Sequence, residues 1–197
     1  MTAKLALCLL AYSERRYIIP ALRQWPGIRK VVLVSSVPWN GISENQAEML
    51  TLLHREKEIE VHVRNWRTEA EQRNFGLELL KDCDYVITLD PDEYFTSEDR
   101  SRILARLNDP MDYLNAVKKP LPCFRAGKVV TYWRDADHIL SPADRHLPII
   151  AVNPKTCRFT EHRMVDTDTQ TVISSVMHHM SWVRDDQEVR TKIRALF

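Results

Sequence analysis

Apolar runs and amphipathic stretches alternate along the first hundred positions. Residues 5–10 are continuously apolar and end in Ala11-Tyr12-Ser13-Glu14, which reads as a first buried strand. Val31-Val32-Leu33-Val34 is a second, closed by Ser35-Ser36. Residues 59–63 alternate as a third strand, and residues 85–89 are a fourth. Between them the period lengthens. Residues 17–24 predict a short helix strained by Pro20. Residues 44–56 carry Ala47, Met49, Leu50 and Leu53 at helical spacing. Thr68-Glu69-Ala70-Glu71 is a capping box, so a helix should open there and carry Phe75, Leu77, Leu79 and Leu80 inward. Strand–helix–strand alternation of this kind predicts an α/β fold, a mostly parallel sheet with helices on both faces.

The pattern changes after Leu107. Prolines at 110, 120, 122, 142, 148 and 154 punctuate strand-like pieces at 128–133, 147–152 and 171–183. A second capping box, Asp185-Asp186-Gln187-Glu188, predicts a helix running to the end. This half reads as an irregular extension of the same sheet, where substrate-specific loops usually sit. At 197 residues, without repeat or linker, the chain is expected to be one domain over residues 1–197, with halves at 1–107 and 108–197.

Charge and cysteines narrow the class. A net charge of +1 offers no global field for nucleic acid or a membrane surface. A local patch from Arg15, Arg16, Lys118, Lys119, Arg125 and Lys128 remains open. Cys8, Cys83, Cys123 and Cys157 are scattered with no C-x-x-C pair, which favours buried free thiols in a reducing, cytoplasmic setting. Residues 1–10 are too short and too soon interrupted for a signal peptide, and no apolar run approaches membrane-spanning length. None of the four glycines precedes Pro26, so the Gly-rich phosphate loop of a nucleotidyltransferase is missing.

The candidate chemistry lies where Val86-Ile87-Thr88-Leu89 runs into Asp90-Pro91-Asp92-Glu93. A buried strand delivers these carboxylates to the sheet edge where open α/β sheets bind ligands. Asp90 and Asp92 can share one hard divalent cation, Mn²⁺ or Mg²⁺, leaving positions for phosphate oxygens. A D-x-D alone is more often a solvated loop. Given the D-x-D, His179 is the expected third ligand, with a core histidine as the alternative reading. Both faces of 171–183 are partly apolar, so alternation does not decide between His178 and His179.

Ser13-Glu14, Arg73-Asn74, Asp90-Pro91-Asp92-Glu93 and His179-Met180-Ser181-Trp182-Val183-Arg184 occur in an order that resembles family 2 glycosyltransferases of the GT-A fold, the compact bacterial and phage type. The resemblance implies a GT-A-like mixed sheet. It also implies a metal-dependent transfer, with inversion, of a sugar from a nucleoside diphosphate sugar to an acceptor hydroxyl. Residues 1–107 would bind the nucleotide sugar, and 108–197 the acceptor and metal. Tyr12, Glu14, Ser35, Arg73 and Asp90 would then meet the nucleotide sugar, and Asp90, Asp92 and His179 the metal.

Glu161, shortly before the strand carrying His179, would be the general base, with Asp144 or Asp137 next. Arg73 has two readings, a diphosphate contact or a salt bridge within an acidic helix start. Tyr12 is a base-stacking or a core aromatic. Acidic residues that read the base in this family are replaced here by Ser35-Ser36 and Pro38-Trp39-Asn40-Gly41, whose hydroxyls and indole suit several bases. The acceptor is expected to be a glycan such as lipopolysaccharide, or a modified base in phage DNA. The competing class is a GT-A-like module that binds a nucleotide without turnover.

Overall fold

The computed structural model describes residues 2–37, 45–110, 120–142, 145–185 and 187–190. The first half follows the expected alternation. Strands β1 (Leu5–Ala11), β2 (Arg29–Ser35), β3 (Ile59–Arg64) and β4 (Tyr85–Leu89) are separated by helices α1 (Ile18–Arg23), α2 (Ala47–Arg55) and α3 (Glu69–Leu79). These four strands are parallel, in the order β3-β2-β1-β4. Next come a two-residue strand β5 (Glu93–Tyr94) and a helix α4 (Ser97–Asn108), neither of which the sequence pattern had suggested. Thr96 caps α4, its hydroxyl accepting from the Asp99 N–H.

The second half extends the same sheet, as expected. β7 (Ile149–Val152) pairs antiparallel with β4 and with β6 (Cys123–Trp133). β10 (Gln170–Trp182) runs parallel to β6 and accepts β5 antiparallel on its far side. The eight-stranded order is β3-β2-β1-β4-β7-β6-β10-β5, a mixed, mostly parallel, GT-A-like sheet. β8 (Phe159–Glu161) and β9 (Met164–Val165) form a separate small hairpin.

Alternate residues of the central strands feed two cores. Leu7, Leu9, Val32 and Val34 pack with Ile18 and Leu22 of α1, Met49 and Leu53 of α2, and Ile103 and Leu107 of α4. Ala6, Cys8, Leu10, Val31 and Leu33 pack on the other face with Ala70, Leu77 and Leu80, and with Phe159 and Val165 of the hairpin. Helices therefore cover both faces. Phe75 and Leu79 are only partly buried, whereas Leu77 and Leu80 are fully inside. All four cysteines are buried and free. Among the described residues, no helix is long and apolar enough to cross a membrane.

Local details explain the boundaries. Pro20 is the third residue of α1, within the first turn, where a backbone N–H has no intrahelical partner anyway. The expected strain is therefore absent. At α3 the Thr68 hydroxyl accepts from the Glu71 N–H, while the Glu71 carboxylate reaches one residue further back, to the Arg67 N–H. The Asp185–Glu188 box closes in both directions.

The hairpin is held by Asn74. Its side-chain amide donates to the Phe159 carbonyl and its side-chain oxygen accepts from the Phe159 N–H, both at 2.8 Å, as a neighbouring strand would. Next to it, Gly76 lets α3 approach β1 closely. A Cβ there would lie 2.5 Å from Cys8 Sγ and 3.1 Å from Leu33 Cδ1. Gly76→Ala should gain about 0.5–1 kcal/mol of helix propensity but lose roughly 1–3 kcal/mol to overpacking. We expect a lower melting temperature by circular dichroism; a higher one would mean that the α3–β1 contact yields freely.

Candidate functional site

The site forms where β4 ends. Thr88 is the last-but-one residue of that strand, and Asp90 follows it at the sheet edge. α3 sends Arg73 into this corner with its side chain wholly buried. Its guanidinium donates to Glu69 Oε1 (2.7 Å), Thr88 Oγ1 (2.8 Å) and Asp90 Oδ1 (3.0 Å). The salt bridge expected for Arg73 is formed, with Glu69 and with Asp90. It reaches the site through Asp90 and is shielded from solvent.

A second arginine closes the site from the other side. Arg163, at the tip of the β8–β9 hairpin, grips the buried Glu93 carboxylate with both Nη atoms, at 2.6 and 2.5 Å. It also lies 3.5 Å from Asp90 Oδ2. Glu93 Oε2 accepts in addition from the Asp90 N–H, and the Glu93 N–H donates to the Asp90 carbonyl, which folds Asp90-Pro91-Asp92-Glu93 into a closed turn. Burial disfavours ionised Asp90, yet Arg163 and Arg73 outweigh it and hold the carboxyl below its usual value. Burial dominates at Glu93 and pushes it up, with Arg163 pulling the other way.

Register settles the choice of histidine. In the β5–β10 ladder His179 sits opposite Glu93, and the Met180 N–H donates to the Asp92 carbonyl (2.8 Å). His179 Nε2 thereby lies 3.7 Å from Asp92 Oδ1. His178 points elsewhere, its Nδ1 paired with the Tyr132 hydroxyl (2.8 Å) and its ring stacked on Tyr132. Asp92 and His179 thus face one another, while Asp90 is occupied by two guanidinium groups.

At the ends of β1 and β2, Glu14 folds back so that Oε2 accepts from the N–H groups of Tyr12 (2.7 Å) and Ser13 (3.0 Å). Burial raises its carboxyl above the usual value. The Ser35 hydroxyl is buried and donates to the Val37 carbonyl. The Gln46 amide ties the Tyr12 and Ser35 carbonyls together. Tyr12 is half-buried. The expected base-reading segment Pro38-Trp39-Asn40-Gly41 lies outside the described residues, as do Lys118, Lys119, Asp144 and Asp186.

Two concavities open at this end of the sheet, and Asp92, itself buried, lines neither. One, of about 330 Å³, is lined by Ser13, Glu14, Arg16, Tyr17 and Arg184 among others. The other, of about 380 Å³, is lined by Asp90, Glu93, His146, His162, Arg163 and His179, with Glu69 and Met177. The charge of Asp92 bears on Glu14 and Tyr17 of the first, and His179 belongs to the second. Arg163 Nε is buried without a hydrogen-bond partner on the wall of the second cavity. Glu161 has an exposed side chain on β8 and does not line either cavity, and Asp137 is exposed in a surface turn.

The chain shares its fold with S. aureus TarS. The TarS 1–349 structure superposes with a TM-score of 0.50 at 14% identity, covering 90% of this chain and 60% of that fragment. The chain therefore spans less than two thirds of the TarS fragment. TarS 1–349 in complex with UDP-GlcNAc gives a TM-score of 0.40 at 20% identity over 59% of this chain and 37% of that one. No protein-family model matches the chain, and no curated protein does.

Sequence reading assigned no site role to Glu69, Glu93, His162 or Arg163. Glu93 was legible only as the residue after D-x-D. Arg163 meets Glu93 through a contact 70 residues apart in sequence, created by the docked hairpin, and no local pattern announces it.

The Arg163–Glu93 pair makes a stability prediction. Removing one partner of a buried pair costs about 3–5 kcal/mol, so Arg163→Met should unfold at much lower urea, and Arg163→Met/Glu93→Gln should recover part of the loss. Asp90, held low, contributes while ionised and loses that contribution as pH falls through its folded value. Glu93, pushed up, is most favourable while protonated and becomes less so as pH rises through its folded value. Both ionised forms lean on Arg163, so the deficit of Arg163→Met should shrink on acidification. Urea curves at pH 7 and pH 4 with equal deficits would refute the pairing.

Proposed function

We propose that the chain is a glycosyltransferase that moves a sugar, with inversion, from a nucleoside diphosphate sugar to an acceptor hydroxyl. The observation that carries this is the Asp92–His179 pair, whose histidine lines the second cavity at the sheet edge of a fold shared with TarS. In this reading the nucleotide lies over the ends of β1 and β2, near Tyr12, Glu14 and Ser35. Arg16 and Arg184 give that cavity cations for the diphosphate. The sugar enters the second cavity, where the exposed edge of Asp90 can meet its hydroxyls.

A divalent cation fits the donors that face one another. Asp92 and His179 offer one carboxylate oxygen and one imidazole nitrogen, a set that suits Mn²⁺ as well as Mg²⁺. Among the described residues no group of three His, Cys, Asp or Glu side chains gathers around one point. Such a cation would hold two protein ligands and leave positions for diphosphate oxygens. When bound, it supplies charge neutralisation on the leaving group. Asp90, expected from sequence as a ligand, is instead neutralised by Arg73 and Arg163, and we assign it to orienting the sugar.

Between the two acceptor classes we favour a glycan. The net charge of +1 supplies no field to draw in DNA.

Calorimetry tests the metal assignment. Nucleoside diphosphate should bind more tightly with Mn²⁺ than with EDTA, and Asp92→Asn should remove the difference. His179→Ala should weaken Mn²⁺-dependent binding by at least the ~10-fold that disturbing a ligand's surroundings costs. Unchanged metal-dependent affinity in Asp92→Asn would refute the site. A panel of nucleotide sugars incubated with Mn²⁺, followed by nucleoside diphosphate release, identifies the donor.

A further inference from the structure

The tip of the β8–β9 hairpin carries a second unusual side chain beside Arg163. His162 has φ 42°, a left-handed backbone shared, among the described non-glycine residues, only with Arg134. That region is disfavoured for most L residues, though His, Asn and Asp enter it more readily than others. Strained backbone persists where surrounding contacts over-determine it, and it clusters at functional sites. Here the contacts are Asn74 gripping Phe159 below and Arg163 gripping Glu93 beside it. Between them His162 is held out over the second cavity, its side chain 77% exposed at the rim.

The imidazole is oriented. Nδ1 lies 3.3 Å from Glu69 Oε2, and the other oxygen of Glu69 is bonded to buried Arg73. A carboxylate acceptor at Nδ1 places the ring proton there and leaves the lone pair on Nε2. A base directed by a third group that is itself fixed is the arrangement that activates hydroxyls in other enzymes. Glu161, the neighbouring acid, is exposed and does not line the cavity.

We propose that His162, oriented by Glu69, is the general base of sugar transfer. This rests on the glycosyltransferase reading and deepens it. His162 Nε2 takes the proton of the acceptor hydroxyl as that oxygen forms its bond to the anomeric carbon. The bond from the anomeric carbon to the diphosphate oxygen breaks, and its electron pair leaves with the nucleoside diphosphate. The resulting imidazolium faces the Glu69 carboxylate and passes its proton to solvent, to which the ring is open. Other charged or titratable groups bear on the ring. Arg73 stands behind Glu69 on α3, and Asp90 and Glu93 lie on the β4–β5 turn. Arg163 and Glu161 share its hairpin, His179 comes from β10, and His146 from the segment before β7. Of these groups, Glu69 is hydrogen-bonded to the imidazole.

The test uses the full chain with Mn²⁺ and UDP-, GDP-, ADP- and TDP-sugars, with water or an added glycan as acceptor. It follows nucleoside diphosphate release against pH. His162→Asn keeps a residue that tolerates the left-handed backbone, so its melting temperature should match wild type. Its turnover should fall about 10²- to 10⁴-fold, and the acid limb of the pH profile should disappear. Mn²⁺-dependent affinity for the nucleoside diphosphate should stay unchanged. If wild type releases nothing from any donor, the glycosyltransferase reading fails and this proposal with it. If wild type turns over and His162→Asn keeps its rate and pH profile, the proposal alone fails. A loss confined to affinity, or a loss of turnover in Glu161→Gln with His162→Asn unaffected, overturns it equally.

Discussion

Arg73 carries a permanent charge with no route to water, and much of the rest of the site is arranged around that fact. A guanidinium buried this deeply is tolerable only when its donors are met by fixed acceptors. The acceptors come from three places: Glu69 one turn earlier on α3, Thr88 inside β4, and Asp90 just beyond it. Helix and strand are thereby locked at one separation, with Gly76 allowing the helix to sit close enough for the side chain to reach. Because Asp90 is pinned from below, the turn after it has a defined start. Arg163 then pins its end by holding Glu93. The two arginines clamp one short acidic turn from opposite sides, and Asp92, which with Pro91 lies between the clamped positions, is left to face His179.

The parts of this arrangement that sequence could reveal are those with a local signature. β1, β2 and β4 are apolar runs too short for helices, and α3 opens at a Thr-x-x-Glu that caps as such patterns do. The Arg73-Asn74 pair was legible as a motif but not as a division of labour. One member turns into the sheet to hold Asp90, and the other turns toward the hairpin to hold Phe159. Nothing in the spacing says which does which.

β5 and the hairpin escaped because each is only a few residues long, below the length at which hydrophobic period carries information. Glu161 stood out as the acid nearest to the expected position, yet along a two-residue turn successive side chains diverge. His162 and Arg163 take the cavity while Glu161 stays outside it. Alternation failed for His178 and His179 for a different reason. β10 is flanked on both sides, by β6 and β5, and carries apolar residues on both faces, so only the pairing register distinguishes them.

That register has an architectural consequence. β10 follows β6 in step from Val176 to His179 and is out of step on either side, once between Ile173 and Val176 and again between His179 and Trp182. The four-residue stretch bearing His179 is insulated from its surroundings by a slack point at each end. A residue inserted or lost further along either strand can be taken up at one of these points without rotating His179 to the opposite face. Relatives whose later strands differ in length can therefore keep the histidine in place, and loops of different size can be grafted beyond Trp182 or before Ile173 onto an unchanged centre.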